Sequence, residues 1–362
     1  MPFEKWQTGE ELFENLDREH DLLDRDLRPF LEECDQLQAI QVLSGVDDAW
    51  GGFASKYLER IADDLGKGCR WLWGLEDDKN APRERRALQA ANTAQSIYAT
   101  RETVSMYVPL TTTPAALPSY ISMDSSSKWH TSALQAVLME SASLPSRLRS
   151  SESAHATLDH LELALSQTGH RRIAAAAFSA QDPADQTTVS TTSTQPNRQA
   201  TDTRITNRLH ATGLDDSDSD DKSNDSDISL LTSVSTHTAH SKKSHTFTTA
   251  LTHRGAWPIP ENASPHTLTH HTPLLFPGTN LSSYPPIFSF PSWRGGKLAI
   301  KTSLSTNTAV ADRLAILRGI AGRALGLGFE EREALAEGLR VVEGEYVEGW
   351  DEGFSDSGEE DE

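Results

Sequence analysis

The sequence predicts an α/β fold in which a parallel sheet is flanked by helices, interrupted by a long disordered insertion and closed by a helical C-terminal segment. Three observations carry this. Apolar runs at 37–43, 69–75 and 103–110 alternate with helical patterns at 50–65 and 82–99, the order of a parallel sheet covered by helices. Residues 187–252 hold 27 Ser or Thr among 66, too little apolar material to offset the entropy of ordering the chain. Helical periodicity then returns after Asn307.

The elements follow in order. Leu23, Leu27, Phe30, Leu31 and Cys34 recur at helical spacing over 19–34, and Pro29 kinks or restarts that helix. The run 37–43 suits a buried strand and 44–49 a loop. The next helix, from about Trp50, has an apolar stripe of Phe53, Tyr57, Leu58, Ile61 and Leu65, with Gly66 as its stop. Pro82 suits the first turn of a third helix, in which Leu88, Ala91, Gln95 and Tyr98 share a face. Helical patterns recur at 128–140 and 157–167. After the insertion, 253–296 is rich in Pro and aromatics and reads as strands and turns that rejoin the fold. Asn307 caps a last pair of helices, the second at 329–347. The domain reading is 1–178 for the α/β domain, 179–256 for the insertion, 257–349 for the C-terminal part of the fold and 350–362 for an acidic tail.

The formal net charge is −20, and the ten acidic residues after Arg340 are accompanied by no Lys or Arg. This balance speaks against direct nucleic-acid binding, which needs clustered cations to displace counterions. The two cysteines, Cys34 and Cys69, lie in apolar segments and read as buried, reduced thiols. No apolar run is long enough to cross a membrane. The first residues are too acidic for a mitochondrial presequence.

The most informative motif is the strand–loop–helix at 44–55. A glycine-containing loop between strand and helix lets backbone N–H groups approach a phosphate, and the helix dipole assists. Ser44, Gly45, Asp47, Asp48, Gly51 and Gly52 are the candidate residues of such a loop, in a degenerate form. Asp47 and Asp48 cap a helix by themselves, but they stand where phosphate oxygens would sit. Each charge would oppose a phosphate by about 1–4 kcal/mol unless Mg²⁺ intervened. The alternating charges over 17–28 read as a solvated helix face. The histidines clustered between His237 and His271 lack zinc-like spacing with cysteines, and the adjacent His270 and His271 alone do not make a site, so no metal is expected. Ser217, Ser219 and Ser355 precede acidic residues, as acidophilic kinases favour. No phosphate-loop, serine-hydrolase or zinc-protease motif occurs, so no catalytic residue is assigned.

The run DRDLRPFLEECDQLQ at 24–38, continued by VLSGVDDAWGGF at 42–53, resembles the signature of Misato proteins. The acidic tail around Trp350, Asp351, Glu352 and Gly353 is similar to that family's C-terminus. Misato proteins are similar to tubulin and the bacterial division GTPases. The resemblance implies a tubulin-like sheet and a non-enzymatic role in partitioning mitochondria and mitochondrial DNA, in the cytoplasm and on the cytosolic face of the mitochondrion. It implies protein partners, with tubulin or its folding machinery as candidates. The alternative it offers is a GTP-binding, tubulin-related assembly factor. The cradle broken at Asp47, Asp48 and Trp50 means that GTP is not carried over as a cofactor. Family members also carry a first strand and loop ahead of the helix at 19–34, so the sheet is expected to be N-terminally incomplete.

Overall fold

The computed structural model describes residues 3–77, 82–167, 169–182, 227–231, 244–257, 265–278, 281–290, 295–323 and 327–347. Helix α1 (Trp6–His20) leads through a π-helical turn (Leu23–Leu27) to α2 (Arg28–Glu32). A Rossmann-like run follows: β1 (Ile40–Gly45), α3 (Ala49–Leu65), β2 (Arg70–Glu76), α4 (Arg83–Thr100) and β3 (Met106–Thr111). Then come α5 (Lys128–Ala142), α6 (Leu158–Ser166), β4 (Ala175–Gln181), β5 (Ile228–Ser229), β6 (Thr246–Arg254), β7 (Thr267–Thr272), β8 (Ala299–Asn307), α7 (Thr308–Ala321) and α8 (Phe329–Glu345).

The strands form two sheets. β1, β2 and β3 are parallel and lie in sequence order. The second sheet has the order β5-β4-β8-β6-β7 and is mixed: only β6 and β7 run parallel. A parallel bridge between Tyr107 and Ile173 joins β3 to the segment entering β4. The alternation of Trp71 and Trp73 with Leu72 sends β2 side chains into two cores. Trp71 and Trp73 pack with Leu134, Leu138 and Phe178, while Leu72 packs with Leu58, Ile97, Leu314 and Leu339. The second core holds α7 and α8 against α4, so the C-terminal helices belong to the same body as the first sheet.

Several elements differ from the sequence reading. The helix expected over 19–34 is found as the π-helical turn and α2, and a further helix, α1, precedes it. The apolar content of α1 is thin, with Phe13 the buried side chain, and α1 is held by close approach to α3: a Cβ on Gly9 would lie 1.6 Å from the Ala49 carbonyl. The α1 helix ends at Asp21, whose positive φ of 44° breaks the backbone, and Pro29 sits in the first turn of α2. On α4 only Ala91 of the expected face is buried, and Leu88, Gln95 and Tyr98 are half-buried. Ala91, Ala94 and Ile97 are buried together with the polar Asn92 and Ser96, because that face meets a loop as well as apolar side chains. Cys34 is exposed rather than buried, since α2 lies on the surface with no buried residue. Cys69 is half-buried and donates to Glu162 at 3.1 Å.

The stretch read as insertion contributes to the second sheet. Residues 179–181 complete β4, Ile228–Ser229 is β5 and Thr246–Arg254 is β6. The Thr-rich composition that suggested disorder here alternates with buried positions, and β-branched threonines suit a pleated surface. Residues 183–226, 232–243 and 348–362, and with them Ser217, Ser219, Ser355, His237, His240 and the tail, lie outside the described residues. Among the described residues no helix is long and apolar enough to cross a membrane.

Candidate functional site: the cleft at the strand ends

In an open parallel sheet, the crevice outside the carboxyl ends of the strands is the usual place for a ligand. Such a cleft exists here, about 420 Å³ in volume, lined by residues that include Gly45, Asp47, Asp48, Asp77, Thr112 and Lys128. β1 delivers Gly45 to its edge, β2 delivers Glu76 and Asp77, β3 delivers Thr112, and the first turn of α5 delivers Lys128.

Asp48 is the N-cap of α3. Its extended backbone (φ −138°, ψ −163°) lets the carboxylate accept from the Trp50 N–H at 2.8 Å, and its carbonyl accepts from the Gly51 N–H at 3.1 Å. Two N–H groups at this helix start are therefore already committed to Asp48. Asp47 is 7 % exposed. Its carboxylate accepts from the Asp77 N–H at 2.8 Å and from Gln89 Nε2 at 3.1 Å, tying the loop after β1 to the loop after β2. Burial pushes the Asp47 carboxyl up to about 7, and the charges of Glu76, Asp48 and Asp77 add to this against the pull of the Asp77 N–H. Burial raises Asp48 as well.

The rest of the loop is clamped from α4. Asn92 donates to the Asp47 carbonyl at 2.9 Å, and Ser96 donates to the Val46 carbonyl at 2.9 Å. Asn92 also donates to the Glu4 carbonyl, and Trp6 Nε1 donates to Ser96 Oγ, so α1 is fastened to the same polar face. Ser44 donates to the Gly45 and Trp50 carbonyls.

The two helix glycines face away from the cleft. A Cβ on Gly51 would meet Ser96 Oγ at 2.3 Å and the Val46 carbonyl at 2.9 Å. A Cβ on Gly52 would meet the Trp6 carbonyl at 2.0 Å. These glycines permit α3 to touch α4 and α1. The structure thus brings Gly45, Asp47 and Asp48 to the cleft, keeps Ser44 on the loop backbone, and uses Gly51 and Gly52 for helix packing.

Glu76 and Arg313 were not singled out from the sequence. Glu76 is 4 % exposed and forms a buried ion pair with Arg313 of α7, and Tyr107 donates to the same carboxylate at 3.3 Å. At the cleft mouth, Lys128 pairs with Asp77, which also accepts from Thr112 at 3.1 Å. Each cation here already faces a carboxylate. The site is an acidic, hydrogen-bonded junction, and its carboxylates do not fit a phosphate cradle. Signals for Gln89, Asn92 and Ser96 do exist in the sequence: polar residues spaced by three and four on a helix that is otherwise apolar on that side.

Comparison with known proteins agrees with this architecture. The tubulin domain family matches residues 1–148. Protein DML1 of Phaeosphaeria nodorum is 42% identical over 98% of this chain and 68% of its own length. The chain belongs to the DML1, or Misato, family. The Neurospora crassa DML1 protein is 38% identical over 100% of the chain and 71% of its own length. The Schizosaccharomyces pombe DML1 protein is 32% identical over 40% of the chain. The tubulin-domain match contains α1 to α5, hence every residue of the site named above except Arg313, the partner of Glu76. The DML1 matches extend through the second sheet and the C-terminal helices.

Proposed function

We propose that this chain is a non-enzymatic, tubulin-like protein of mitochondrial partitioning and inheritance, acting through protein contacts. The observation that carries the non-enzymatic part is the acidic loop, whose carboxylates stand where a phosphate would bind. Asp48 takes the N–H groups of Trp50 and Gly51, and Asn92 and Ser96 hold the loop carbonyls. A phosphate would have to take the N–H groups held by Asp48 and face Asp47, Asp48 and Asp77 together. The organelle part rests on the Misato resemblance, which also supports action in the cytoplasm and on the cytosolic face of the mitochondrion. Tubulin or its folding machinery is the proposed class of partner.

The second reading is a GTP-binding assembly factor, favoured by the tubulin-domain match and by the position of the cleft at the strand ends. Titration of the purified chain with labelled GTP and Mg²⁺ separates the two. The expected result is no saturable binding. Saturable binding that disappears in Lys128→Ala would replace the first reading with the second. The organelle part is tested separately, by deleting the gene and counting mitochondrial DNA copies; unchanged copy number and mitochondrial morphology would remove it.

A further inference from the structure

The acidic cleft lies at the carboxyl ends of the parallel strands. At the opposite, amino ends of β2 and β3, two cavities meet. The smaller, about 150 Å³, lies between the end of α4, the segment entering β4, and α8. Its wall is apolar: Ile97, Val104, Tyr107, Ile173 and Val342 line it and are all buried. The larger, about 670 Å³, continues past Lys67, Arg70 and Ser105 to Glu162 and Leu163 of α6. Glu102, Val104, Gly169 and Arg172 line both, so the two spaces adjoin.

The charges at this junction run against a chain of net charge −20. Lys67, Arg70 and Arg172 have no carboxylate within ion-pair distance among the described residues. The Arg70 guanidinium is committed to the Thr103 and Gly66 carbonyls, each at 2.6 Å. Arg172 is half-buried at the junction. It donates from Nε to the Gly169 carbonyl at 3.2 Å and from Nη1 to the Arg101 carbonyl at 3.1 Å, and Nη2 has no bonding partner among the described residues. The nearby carboxylates are engaged elsewhere. Glu102 pairs with Arg101 at 3.6 Å, and Glu162 accepts from Ser105 Oγ at 2.5 Å and from Cys69 Sγ at 3.1 Å. Glu345 lines the smaller cavity from α8 and opposes an anion on that wall, so an anionic head must seat on the Arg172 side.

We propose that the joined cavities bind a small anionic amphiphile, an aryl or short-chain alkyl carboxylate, with its apolar end against Val104 and Tyr107 and its carboxylate on Arg172. A planar guanidinium matches a carboxylate in geometry as well as charge. An apolar cavity of about 150 Å³ takes a benzene ring, so the wall sets the apolar end at about that size and excludes a long lipid chain. Lys67, exposed on the outer rim, adds attraction without fixing the head.

The test is calorimetric titration of the full chain with benzoate, with benzyl alcohol as the uncharged control of similar shape. Benzoate is expected to bind saturably, and benzyl alcohol about tenfold or more weakly, the loss of a charge-assisted hydrogen bond. Arg172→Gln is expected to bring benzoate down to the level of the alcohol. Val341 lines the smaller cavity and is 59% exposed, so Val341→Trp narrows the entrance without entering the core and is expected to abolish binding of both. That variant carries the test even where Arg172→Gln fails to fold. No saturable benzoate binding, equal binding of acid and alcohol, or an isotherm unchanged in either variant would overturn the assignment.

Discussion

The two sheets of this protein are built from opposite kinds of strand. In the first, β2 (RWLWGLE) is buried at all but one position and β3 (MYVPLT) at every one. In the second, β6 (TFTTALTHR) and β8 (AIKTSLSTN) are rich in hydroxyl side chains and alternate between buried and half-buried positions. The first sheet is held by apolar burial on two faces. The second adds a polar interior: Thr248 Oγ1 lies 2.7 Å from Thr306 Oγ1 and donates to the Leu165 carbonyl at 2.7 Å. Composition alone therefore distinguishes the first sheet from solvent-loving chain but not the second.

Arg313 is one place where the two regions are joined, because α7 leaves β8 and drives this guanidinium onto Glu76 at the end of β2. Arg313→Met should lower unfolding stability by about 3–5 kcal/mol, since it strands a buried carboxylate. Urea denaturation checks this, and a change below about 1 kcal/mol would mean that the regions are held by apolar packing and the Tyr107–Ile173 bridge without help from the ion pair.

Asp47 tests the first region by pH. Its carboxyl titrates near 7 in the folded chain, against about 3.9 when unfolded. The folded state therefore binds the extra proton between these values. Stability should be greatest below about pH 4 on this account and decline as pH rises to 7, by up to about 4 kcal/mol. Asp47→Asn should flatten that part of the profile. An Asn variant with the same slope as the unaltered chain would move the effect to another group.

Gly52→Ala probes the helix layer over the first sheet. The added methyl falls against the Trp6 carbonyl, and overpacking of this sort costs about 1–3 kcal/mol. The smallest effect belongs to the second sheet. Thr248→Val removes a buried hydroxyl bond and should cost about 1 kcal/mol. If Thr248→Val proved as damaging as Gly52→Ala, the hydroxyl network would rank with backbone packing as a source of stability.

The candidate site was partly legible. Asp48 announces itself as a cap by standing just before the helix, and Asp47 by standing beside it, so the acidic character of the loop could be read directly. Gly51 and Gly52 were equally visible, but a glycine in a helix start can face a ligand or a neighbouring helix, and only the partner's position separates these. Asn92 and Arg313 reach the cleft residues Asp47 and Glu76 from 45 and 237 positions further along the chain. No local pattern encodes such a meeting.

The sequence by itself determined the order of strands and helices from β1 to β3, the caps at Asp48 and Asn307, the stop at Gly66 and the acidic character of the loop at 44–52. Each of these depends on backbone preferences and charges within a few residues. The tertiary structure decided that polar strands would complete a second sheet, that Gly51 and Gly52 would serve helix contacts, that Arg313 would neutralise Glu76, and that two cavities would meet at Arg172. Those outcomes depend on which surfaces pack together, and packing is settled by the whole chain at once.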